Sequence, residues 1–455
     1  MIQLNCLSKL IDEDNKIYGY RLMDYNGNIR DIKPESLKRE LIAKRVTVIN
    51  LKLTKDGRIV DCDRLNNSTT DDSVTESQSN YAKIDRDIGD YIYDFSNNEQ
   101  ISVRFIVNED LSTLKNKALL MGLKCTNLAD DVVIMRVDNE IRIITDKNKF
   151  LISDGTEMFT SLKIKSIDFT NVDTSEMQCM EDMFSKSEID CINLSSFNTS
   201  KVVNMSSAFR KLKTKELDLS SFDVGNVYYM VSMFEKCDIQ RVKFPSGKAS
   251  SMSDMSFIFR EAVVEDLDLS GLSITKSTDM RGAFISCSIQ RLKMPDTHGV
   301  IDMSTMFKYC IIRNLVITSF NTENVVDMTD MFYSASISDV IDQHKQGTNV
   351  TDDNIRIDLS KLNMSKVTKL SRMFQEFGSY ELILPELNTK NIDKIERMFA
   401  ESHISVLDMR KFVLDESTQI RNLFIDHDIE ELKTIDKRIL NAYETAPTYQ
   451  QRYGQ

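Results

Sequence analysis

The feature that most constrains this chain is a Met-x-x-Met-Phe pattern that returns at nearly constant intervals through its last two-thirds. Its Phe stands at positions 159, 184, 209, 234, 259, 284, 307, 332, 374, 399 and 424. The interval is 25 residues, except for one of 23 and one of 42. A fixed period of this length is typical of a solenoid, in which each repeat buries its apolar face only against its neighbours. The chain is therefore expected to present a long surface.

Apolar residues lie seven, four and one positions before the Phe, as Val202, Met205 and Ala208 do before Phe209. These offsets predict one stripe of a short helix. The pair Asn198-Thr199 comes just ahead of the stripe, and such side chains can accept hydrogen bonds from the first amides of a helix. Each repeat is therefore predicted to contain a short helix with its own N-cap.

Apolar residues also stand eight and ten positions after the Phe, as Leu217 and Leu219 do, and they alternate with polar residues. Alternation with a period of two is the pattern of a β-strand. One strand and one short helix per repeat predict an α/β fold, a solenoid of about eleven strand-helix repeats.

Two repeat strings point to a known family: LDLSSFDVGNVYYMVSMFEKC from Leu217 and SFNTENVVDMTDMF from Ser319. They resemble the BspA-like leucine-rich repeat family over about residues 155–435, because the period, the Met-Phe pair and the LDLS strand coincide. The resemblance implies a leucine-rich-repeat-like solenoid, and it implies surface proteins that are exported and adhere to partners. The start of this chain, MIQLNCLSKLIDEDN, lacks a basic segment followed by an apolar run, and no stretch approaches 18 apolar residues. We therefore expect a cytoplasmic location.

The chain before the repeats begins with a predicted small α+β module over residues 1–62. Turn signals at Asn26-Gly27 and Asp56-Gly57 predict two hairpins, and Pro34 predicts the start of a short helix. Residues 63–85 are predicted to be a flexible linker, because NNSTTDDSVTESQ has almost nothing to bury.

A second α+β module is predicted over residues 86–150, with a hairpin that turns at Asp138-Asn139. It directly precedes the first repeat, so we expect it to cap the open end of the solenoid, which is predicted to span 151–435. Residues 436–455 are expected to form a frayed C-terminal tail.

Net charge and cysteine placement bound the class of partner. The formal net charge of -12 argues against non-specific binding to nucleic acid or to an anionic membrane, although an acidic surface could compete with nucleic acid for a basic partner. Cys237, Cys287 and Cys310 each stand three residues after a repeat Phe, a position otherwise filled mainly by small residues. We expect these cysteines, and all eight in the chain, to be free thiols.

No motif for catalysis, cofactor binding or metal binding occurs in the sequence. The four histidines are scattered and have no zinc-site spacing to the cysteines. The strings GxGxxG, GxSxG and HExxH and the phosphate-binding loop are absent from it. We therefore predict that the protein is not an enzyme and uses neither a cofactor nor a metal.

Charged residues seven and nine positions after the Phe alternate in sign from repeat to repeat. The successive pairs are Glu216/Asp218, Arg241/Lys243, Asp266/Asp268 and Arg291/Lys293. On neighbouring strands, opposite charges that face each other attract. This part of the solenoid is therefore predicted to carry a self-neutralising charge ladder.

The ladder stops farther along the chain, where we predict the partner-binding surface. Val316 and Ile383 occupy outward positions there, with aromatic residues beside them and an insertion of 17 residues near 338–354. Exposed apolar and aromatic residues beside isolated charges are typical of interface hot spots, and insertions in solenoids often lie on the binding face. The predicted binding residues are Tyr309, Val316, Tyr333, His344, Lys345, Arg356, Tyr380 and Ile383.

These observations favour a non-catalytic scaffold for protein-protein interaction, whose partner is a protein of unknown identity. A cell-encoded adaptor and an inhibitor of a host system encoded by a phage or mobile element both fit this description. Two alternatives stay open: a cell-surface adhesin of the BspA-like type, and an acidic decoy that mimics nucleic acid. Neither a membrane nor nucleic acid is expected as a direct partner.

Overall fold

The computed structural model describes residues 80–84, 88–97, 99–276, 278–341, 356–449 and 451 and, in the first 78 residues, the backbone of six strands. The chain divides into two units, Met1–Gln78 and Ser79–Gln455. In the first unit, four strands form a sheet in the order β3-β2-β1-β4, and two more form a hairpin. The six are β1 (Ile2–Ile11), β2 (Ile17–Asp24), β3 (Ile29–Ile32), β4 (Val46–Ile49), β5 (Lys52–Leu53) and β6 (Ile59–Val60).

The two hairpins predicted in this unit are present. Strands β2 and β3 pair antiparallel on either side of Asn26-Gly27, and β5 and β6 do so on either side of Asp56-Gly57. The helix predicted at Pro34 and the stretch 63–78 of the predicted linker lie outside the described residues.

The second unit opens with a mixed module of two helices and six strands. The helices are α1 (Ile88–Ser96) and α2 (Leu111–Leu120). The strands are β7 (Tyr81–Lys83), β8 (Ser102–Ile106), β9 (Cys125–Ala129), β10 (Val132–Val137), β11 (Glu140–Thr145) and β12 (Lys149–Leu151). Strands β10 and β11 form the predicted hairpin, in which Asp138 adopts a φ of 52°. The carboxylate of Asp110 caps α2 by accepting hydrogen bonds from the amides of Ser112 and Thr113.

The repeats form a β-solenoid of about eleven turns, with one longer strand per turn that runs from four to nine residues after the repeat Phe. Eight of these strands continue the sheet of the preceding module, because β13 pairs in parallel with β8. They are β13 (Lys163–Asp168), β15 (Glu188–Asn193), β16 (Lys213–Asp218), β17 (Asp238–Lys243), β19 (Val263–Asp268), β22 (Ser288–Lys293), β24 (Ile311–Val316) and β25 (Ser336–Ile341).

The last three long strands are β27 (Gly378–Ile383), β30 (His403–Asp408) and β33 (Asp428–Lys433). They form a second parallel sheet in chain order, which begins with the three-residue strand β26 (Arg356–Asp358) after the insertion. Shorter strands pair on the other sides of the coil. They are β14 (Val172–Asp173), β18 (Gly247–Ala249), β20 (Leu272–Ile274), β21 (Thr278–Asp279), β23 (Val300–Asp302), β28 (Leu387–Asn388), β29 (Lys394–Glu396), β31 (Phe412–Val413) and β32 (Gln419–Arg421).

All eleven repeat Phe side chains lie in one core and are at most 2% exposed. Their rings form a continuous parallel stack along the solenoid, with neighbouring centroids between 4.8 and 5.7 Å apart. The predicted Phe column is therefore confirmed, and each turn buries its ring against the two turns beside it.

The short helix predicted in each repeat is wrong. The residues two before and two after each Phe have positive φ, as Asp182 (52°) and Lys186 (61°) do around Phe184. The amides of Asp182, Phe184 and Lys186 donate to carbonyl oxygens of the next turn, at 3.1, 2.8 and 2.7 Å, rather than back along their own segment. Consecutive tight turns with inter-turn hydrogen bonds thus replace the helix. They keep the Met and Phe side chains inward with the same spacing.

The Asn-Thr pair ahead of this segment also has a different role from the predicted N-cap. The hydroxyl of Thr199 donates to the carbonyl of Asp223 in the next turn at 3.0 Å and accepts from the amide of Asp223 at 2.7 Å. The side chain of Asn198 accepts from the amide of Ser200 at 3.1 Å, which closes a local turn. The pair therefore links successive turns of the coil.

The 42-residue interval contains one turn and 17 extra residues, as predicted. The rings of Phe332 and Phe374 are neighbours in the stack, with centroids 5.4 Å apart. The extra residues interrupt the strand position instead, where β25 pairs with β24 and β26 pairs with β27. The core therefore runs through the insertion site without a gap.

The C-terminal end of the solenoid is covered by helix α3 (Lys437–Glu444), which replaces part of the expected frayed tail. Asp436 caps this helix by accepting from the amides of Arg438 and Ile439. The ring of Tyr443 lies edge-on against Phe424, with centroids 5.7 Å apart, and so covers the last ring of the stack.

Candidate functional site

The outward face of the long strands, the strand face, carries the predicted charge ladder. The strand register places Glu216 opposite Arg241 and Asp218 opposite Lys243. The ammonium group of Lys243 lies 3.2 Å from Glu216 and 2.8 Å from Asp218, and Lys293 pairs with Asp268. The alternating register of the ladder is confirmed in this part of the sheet, and Lys243 and Lys293 pair with carboxylates of the strand before them.

The predicted binding residues divide between two surfaces. Val316, Arg356, Tyr380 and Ile383 belong to the long strands. Tyr309 and Tyr333 lie instead on the turn edge, defined here as the residues one and two positions after each repeat Phe. His344 and Lys345 lie outside the described residues.

The expected exposure of Val316 is wrong, because this side chain is only 8% exposed. It occupies an outward position, but the register places it between Lys293 of β22 and Ile341 of β25. Ile383 is half-buried, and Tyr380 is 48% exposed. Tyr380 and Ile383 are therefore the accessible apolar groups of the predicted set on the strand face.

An open cleft of about 560 Å³ lies at the C-terminal ends of β26, β27 and β30, and it is called the strand-face cleft below. Ile383 and Leu384 supply its apolar side chains. Its other lining residues are polar or charged: Arg356, Asp358, Ser360, Glu381, Asp408, Arg410 and Lys411. The cleft thus places two predicted binding residues, Arg356 and Ile383, in one concave surface.

Two ion pairs hold the polar side chains of the strand-face cleft in position. The guanidinium of Arg356 lies 2.8 Å from Glu381 on the facing strand. Arg410 binds the carboxylate of Asp408 through two nitrogens, at 2.7 and 3.0 Å. The hydrogen bond from Arg410 lowers the pKa of Asp408, so this carboxylate stays ionised. These groups form a charged rim around an apolar floor.

The turn edge carries an aromatic cluster in the middle of the solenoid. Tyr309 is 47% exposed, and its ring lies edge-on to that of Tyr333, with centroids 5.4 Å apart. The ammonium of Lys308 lies 4.2 Å from the centre of the Tyr333 ring. The hydroxyl of Tyr333 donates to the carboxylate of Glu376 at 2.5 Å. Burial, together with this hydrogen bond, raises the pKa of Tyr333.

Phe377, another aromatic residue of this stretch of the sequence, lies in the core. It is 0% exposed and packs against Phe374 at 5.5 Å. It occupies the position three after the repeat Phe, which also holds the buried Cys237, Cys287 and Cys310. The repeat position alone could have predicted its burial.

Glu381, Leu384, Asp408 and Arg410 are cleft residues that the sequence did not indicate. Glu381 becomes the partner of Arg356 only once β26 and β27 are placed in register, and the insertion hides that register. Leu384 and Asp408 occupy ordinary repeat positions, ten and nine residues after a Phe. Nothing in a single repeat distinguishes them, so their grouping required the structure.

The repeats match the family model described as "Mycoplasma protein of unknown function, DUF285" over residues 153–272, 278–403 and 344–437. These residues make up more than half of the chain. The protein belongs to the DUF285 family. The matched residues of this DUF285 protein cover the turns that carry the Phe stack, the charge ladder and the strand-face cleft. No curated protein and no solved structure matches the chain.

The described part of this DUF285 protein contains no group of three or more His, Cys, Asp or Glu side chains that could hold a metal ion. None of its described helices is long and apolar enough to cross a membrane. The six cysteines whose side chains are described, Cys125, Cys179, Cys191, Cys237, Cys287 and Cys310, are free thiols. Cys6 and Cys62 lie outside the described side chains.

Proposed function

We propose that this DUF285 protein is a non-catalytic protein-protein interaction scaffold whose partner docks on the strand-face cleft. The observation that carries the proposal is the change in the strand face along the solenoid. Lys243 and Lys293 are neutralised by the strands beside them, whereas the sheet is interrupted between β25 and β26, and the cleft follows. A concave surface whose apolar side chains are Ile383 and Leu384 follows this interruption.

The chemistry of the cleft suits a protein partner. Partner side chains that cover Ile383 and the nearby ring of Tyr380 would remove apolar surface from water. The ion pairs of Arg356 and Arg410 would form the polar rim that shields this centre from water once a partner is bound. An apolar centre with a charged rim is the usual anatomy of an interface of this kind.

We further propose that the repeats are of the BspA-like type and that the scaffold works in the cytoplasm. The free thiols of the described cysteines support a reducing compartment. A cell-encoded adaptor and a phage-encoded inhibitor of a host system would both use the strand-face cleft in the same way. The protein that the cleft binds would distinguish between them.

The proposal is tested by affinity capture from a lysate of the native host, quantified by mass spectrometry. The test variant combines Ile383→Asp with Tyr380→Ala, which places a charge on the cleft floor and removes the neighbouring ring. The control is Lys215→Glu, an exposed position on the same face, on β16, five strands before β25. We expect one protein to be retained by the wild type and the control and to bind the test variant about 30-fold more weakly or worse, which corresponds to about 2 kcal/mol.

The variants must keep the wild-type circular dichroism spectrum and unfolding midpoint. The captured protein is then purified and titrated against all three proteins, so that the affinities are measured directly. A partner that binds the wild type and the cleft variant equally would place the working surface elsewhere and overturn the proposal.

A further inference from the structure

The turn edge has a charge polarity that the proposed function does not use. Two residues after the Phe, three consecutive turns near the N-terminal end carry Lys186, Lys211 and Lys236. Near the C-terminal end, consecutive turns carry Glu376 and Glu401 at the same position. Between these two groups the position holds Glu261, Ser286, Tyr309 and Ser334. At this position the edge is thus basic at one end and acidic at the other, with Tyr309 between them.

This column is regular because the backbone of each turn is bonded to the next at this position. The backbone amide of Lys186 donates to the carbonyl of Arg210 at 2.7 Å, and the amide of Lys211 donates to the carbonyl of Glu235 at 2.8 Å. At the acidic end, the amide of Glu376 donates to the carbonyl of Ala400 at 2.9 Å. One turn advances the column by about 5 Å, the spacing of adjacent strands. The charged residues of this column are therefore evenly spaced along the solenoid.

Adjacent turns at each end of this column carry residues of the same charge. Lys186, Lys211 and Lys236 are all exposed. Lys236 lies 3.4 Å from Glu261 in the following turn. Among the described residues, neither Lys186 nor Lys211 has an ion-pair partner. Within the described residues, Lys186 and Lys211 are therefore not neutralised, and a surface of complementary sign would stabilise them.

The acidic end forms a receptor for basic side chains. Glu376 and Glu401 line an open cleft of about 430 Å³ together with Ser334, His403 and Tyr449. A lysine side chain entering this cleft places its ammonium between carboxylates and its aliphatic stem along the ring of Tyr449. Glu376 accepts a hydrogen bond from Tyr333 at 2.5 Å and Glu401 lies 3.1 Å from Arg397, so an incoming ammonium would add to these contacts. A lysine would suit the charge of this cleft, and the opposite end of the same edge presents exposed lysines.

The basic and acidic ends lie at equal distances, counted in turns, from the middle of the edge. Lys236 lies two turns before Ser286, and Glu376 lies two turns after Tyr309. The insertion does not change the second count, because it adds residues but no turn. When two copies lie antiparallel about a twofold axis between the turns of Ser286 and Tyr309, Lys236 of each copy faces Glu376 of the other. Lys211 faces Glu401 in the same way, and Tyr309 lies beside the axis.

We propose that two copies of this chain associate antiparallel through their turn edges, with the lysines of each copy entering the acidic cleft of the other. The contact is isologous, as twofold symmetry requires. Eight turns, from Lys211 to Glu401, are separated by seven steps, so the contact runs along about 35 Å of each edge. The exposed Tyr309 supplies an aromatic group at its centre.

This dimer goes beyond the proposed scaffold function and leaves its site accessible. The turn edge precedes the long strands and the strand-face cleft follows them, so the two surfaces lie at opposite ends of those strands. Loss of the dimer therefore leaves capture by the strand-face cleft unchanged, and loss of capture leaves the dimer unchanged. The two proposals can fail separately.

The test uses the full chain in sedimentation equilibrium. The wild type should be a dimer whose dissociation constant rises with salt. Two variants reverse one end each: Lys211→Glu with Lys236→Glu, and Glu376→Lys with Glu401→Lys. Each should weaken self-association by about 100-fold or more, because like charges then face each other. An equimolar mixture of the two should form a heterodimer, in which every facing pair is again opposite in charge.

The matched control for the lysine variant is Lys165→Glu with Lys215→Glu, which changes the net charge by the same amount at exposed positions of the strand face and should leave the dimer intact. Zero-length carbodiimide cross-linking of the wild type gives a readout without substitutions. Lys211 and Glu401 of one chain lie about seven turns, or roughly 35 Å, apart, so a cross-link between them joins two copies. Mass spectrometry should find the Lys211–Glu401 and Lys236–Glu376 links.

A wild type that is monomeric at every concentration and salt level overturns the proposal and leaves the edge for an elongated partner of complementary charge. A dimer without either cross-link overturns it as well, because the copies then meet elsewhere. Because Glu401 also contacts Arg397 at 3.1 Å, a further charge exchange leaves Glu401 unchanged and combines Lys236→Glu and Glu376→Lys in one chain. Each of these two substitutions alone should weaken the dimer, and the two together should restore it. Failure of the combined variant to restore the dimer would refute the pairing of Lys236 with Glu376.

Discussion

The stacked Phe rings show how one side chain acts as the core of a whole turn. The ring of Phe234 is 0% exposed and lies between Phe209 and Phe259, at centroid distances of 5.4 and 4.8 Å. Parallel stacking of identical rings follows from the translation that relates successive turns. Each ring is in contact with the rings before and after it, so the loss of one affects two neighbouring turns.

We predict that Phe234→Ala lowers the free energy of unfolding by about 3–5 kcal/mol, because it leaves a cavity in the middle of the stack. Val203→Ala is the control, since Val203 is 41% exposed, and we expect it to change stability by less than about 0.5 kcal/mol. Urea unfolding followed by circular dichroism measures both values. A loss below about 1 kcal/mol for Phe234→Ala would contradict the role assigned to the stack.

A second prediction at this scale concerns Glu181. Burial, with smaller contributions from Asp182, Glu157 and Asp154, raises its pKa from 4.5 to about 7. Between these values the folded protein binds the proton more tightly than the unfolded chain. The free energy of unfolding contributed by this group therefore falls as the pH rises from 4.5 to about 7.

Glu181→Gln removes this titration and keeps an oxygen that can accept the hydrogen bond from Asn204. We expect the variant to be more stable than the wild type at pH 8, by at most about 3 kcal/mol, and to match it more closely at pH 5. Glu176→Gln, at an exposed position, is the control and should show no such pH-dependent gain. Urea unfolding at pH 5 and pH 8 measures the change in free energy of unfolding. An equal change for Glu181→Gln at both pH values would show that burial does not raise the pKa of Glu181.

The element that sequence analysis misassigned is the segment around each Phe. Its apolar residues have helical spacing, because consecutive tight turns also return the chain to the inside every three or four residues. The turns differ from a helix in their positive φ angles and in donating their amides to the next turn. Those bonds depend on neighbouring repeats, so one repeat taken alone favours the helix. The strand positions were predictable because alternation directly reflects which side chains face the core.

Ser232, with a φ of 52°, provides a test of the turn element. We predict that Ser232→Val destabilises the protein by about 1–3 kcal/mol relative to Ser232→Asn, because a β-branched residue is strained at positive φ and asparagine tolerates it. A helix has no such preference, since valine and asparagine have similar helix propensities. Comparison of the two urea midpoints measures the effect. Equal midpoints would favour the helix.

At the scale of the whole molecule, the Phe stack continues past the insertion without interruption. Deleting residues 339–355 restores a 25-residue interval and joins Ser336-Ile337-Ser338 directly to Arg356-Ile357-Asp358, which keeps the strand register. We predict a folded protein whose free energy of unfolding changes by less than about 1 kcal/mol, because shortening a long loop has a small entropic effect. Circular dichroism and urea unfolding test this expectation. A large loss of stability would mean that the insertion supports the turns beside it.

The candidate site was predictable only in part, for reasons that Val316 and Ile383 illustrate. Repeat arithmetic placed both on the outward face, but exposure depends on which strands lie beside them. Arg356 and Ile383 meet in one cleft because the insertion resets the sheet at that point. The turn-edge polarity, by contrast, could be identified by aligning the repeats, since the lysines and glutamates share one position.

The two ends of the solenoid are closed by unlike elements, the module with strands β8 to β11 at one end and helix α3 at the other. Every turn between them meets the same kind of neighbour on both sides. Recombination that adds or removes a whole 25-residue unit would therefore leave both ends closed and each new ring stacked between two others. Evolution can thus adjust the length of such a gene in steps of one repeat. An exposed terminal turn, by contrast, would pair with the end of another molecule and start a fibre.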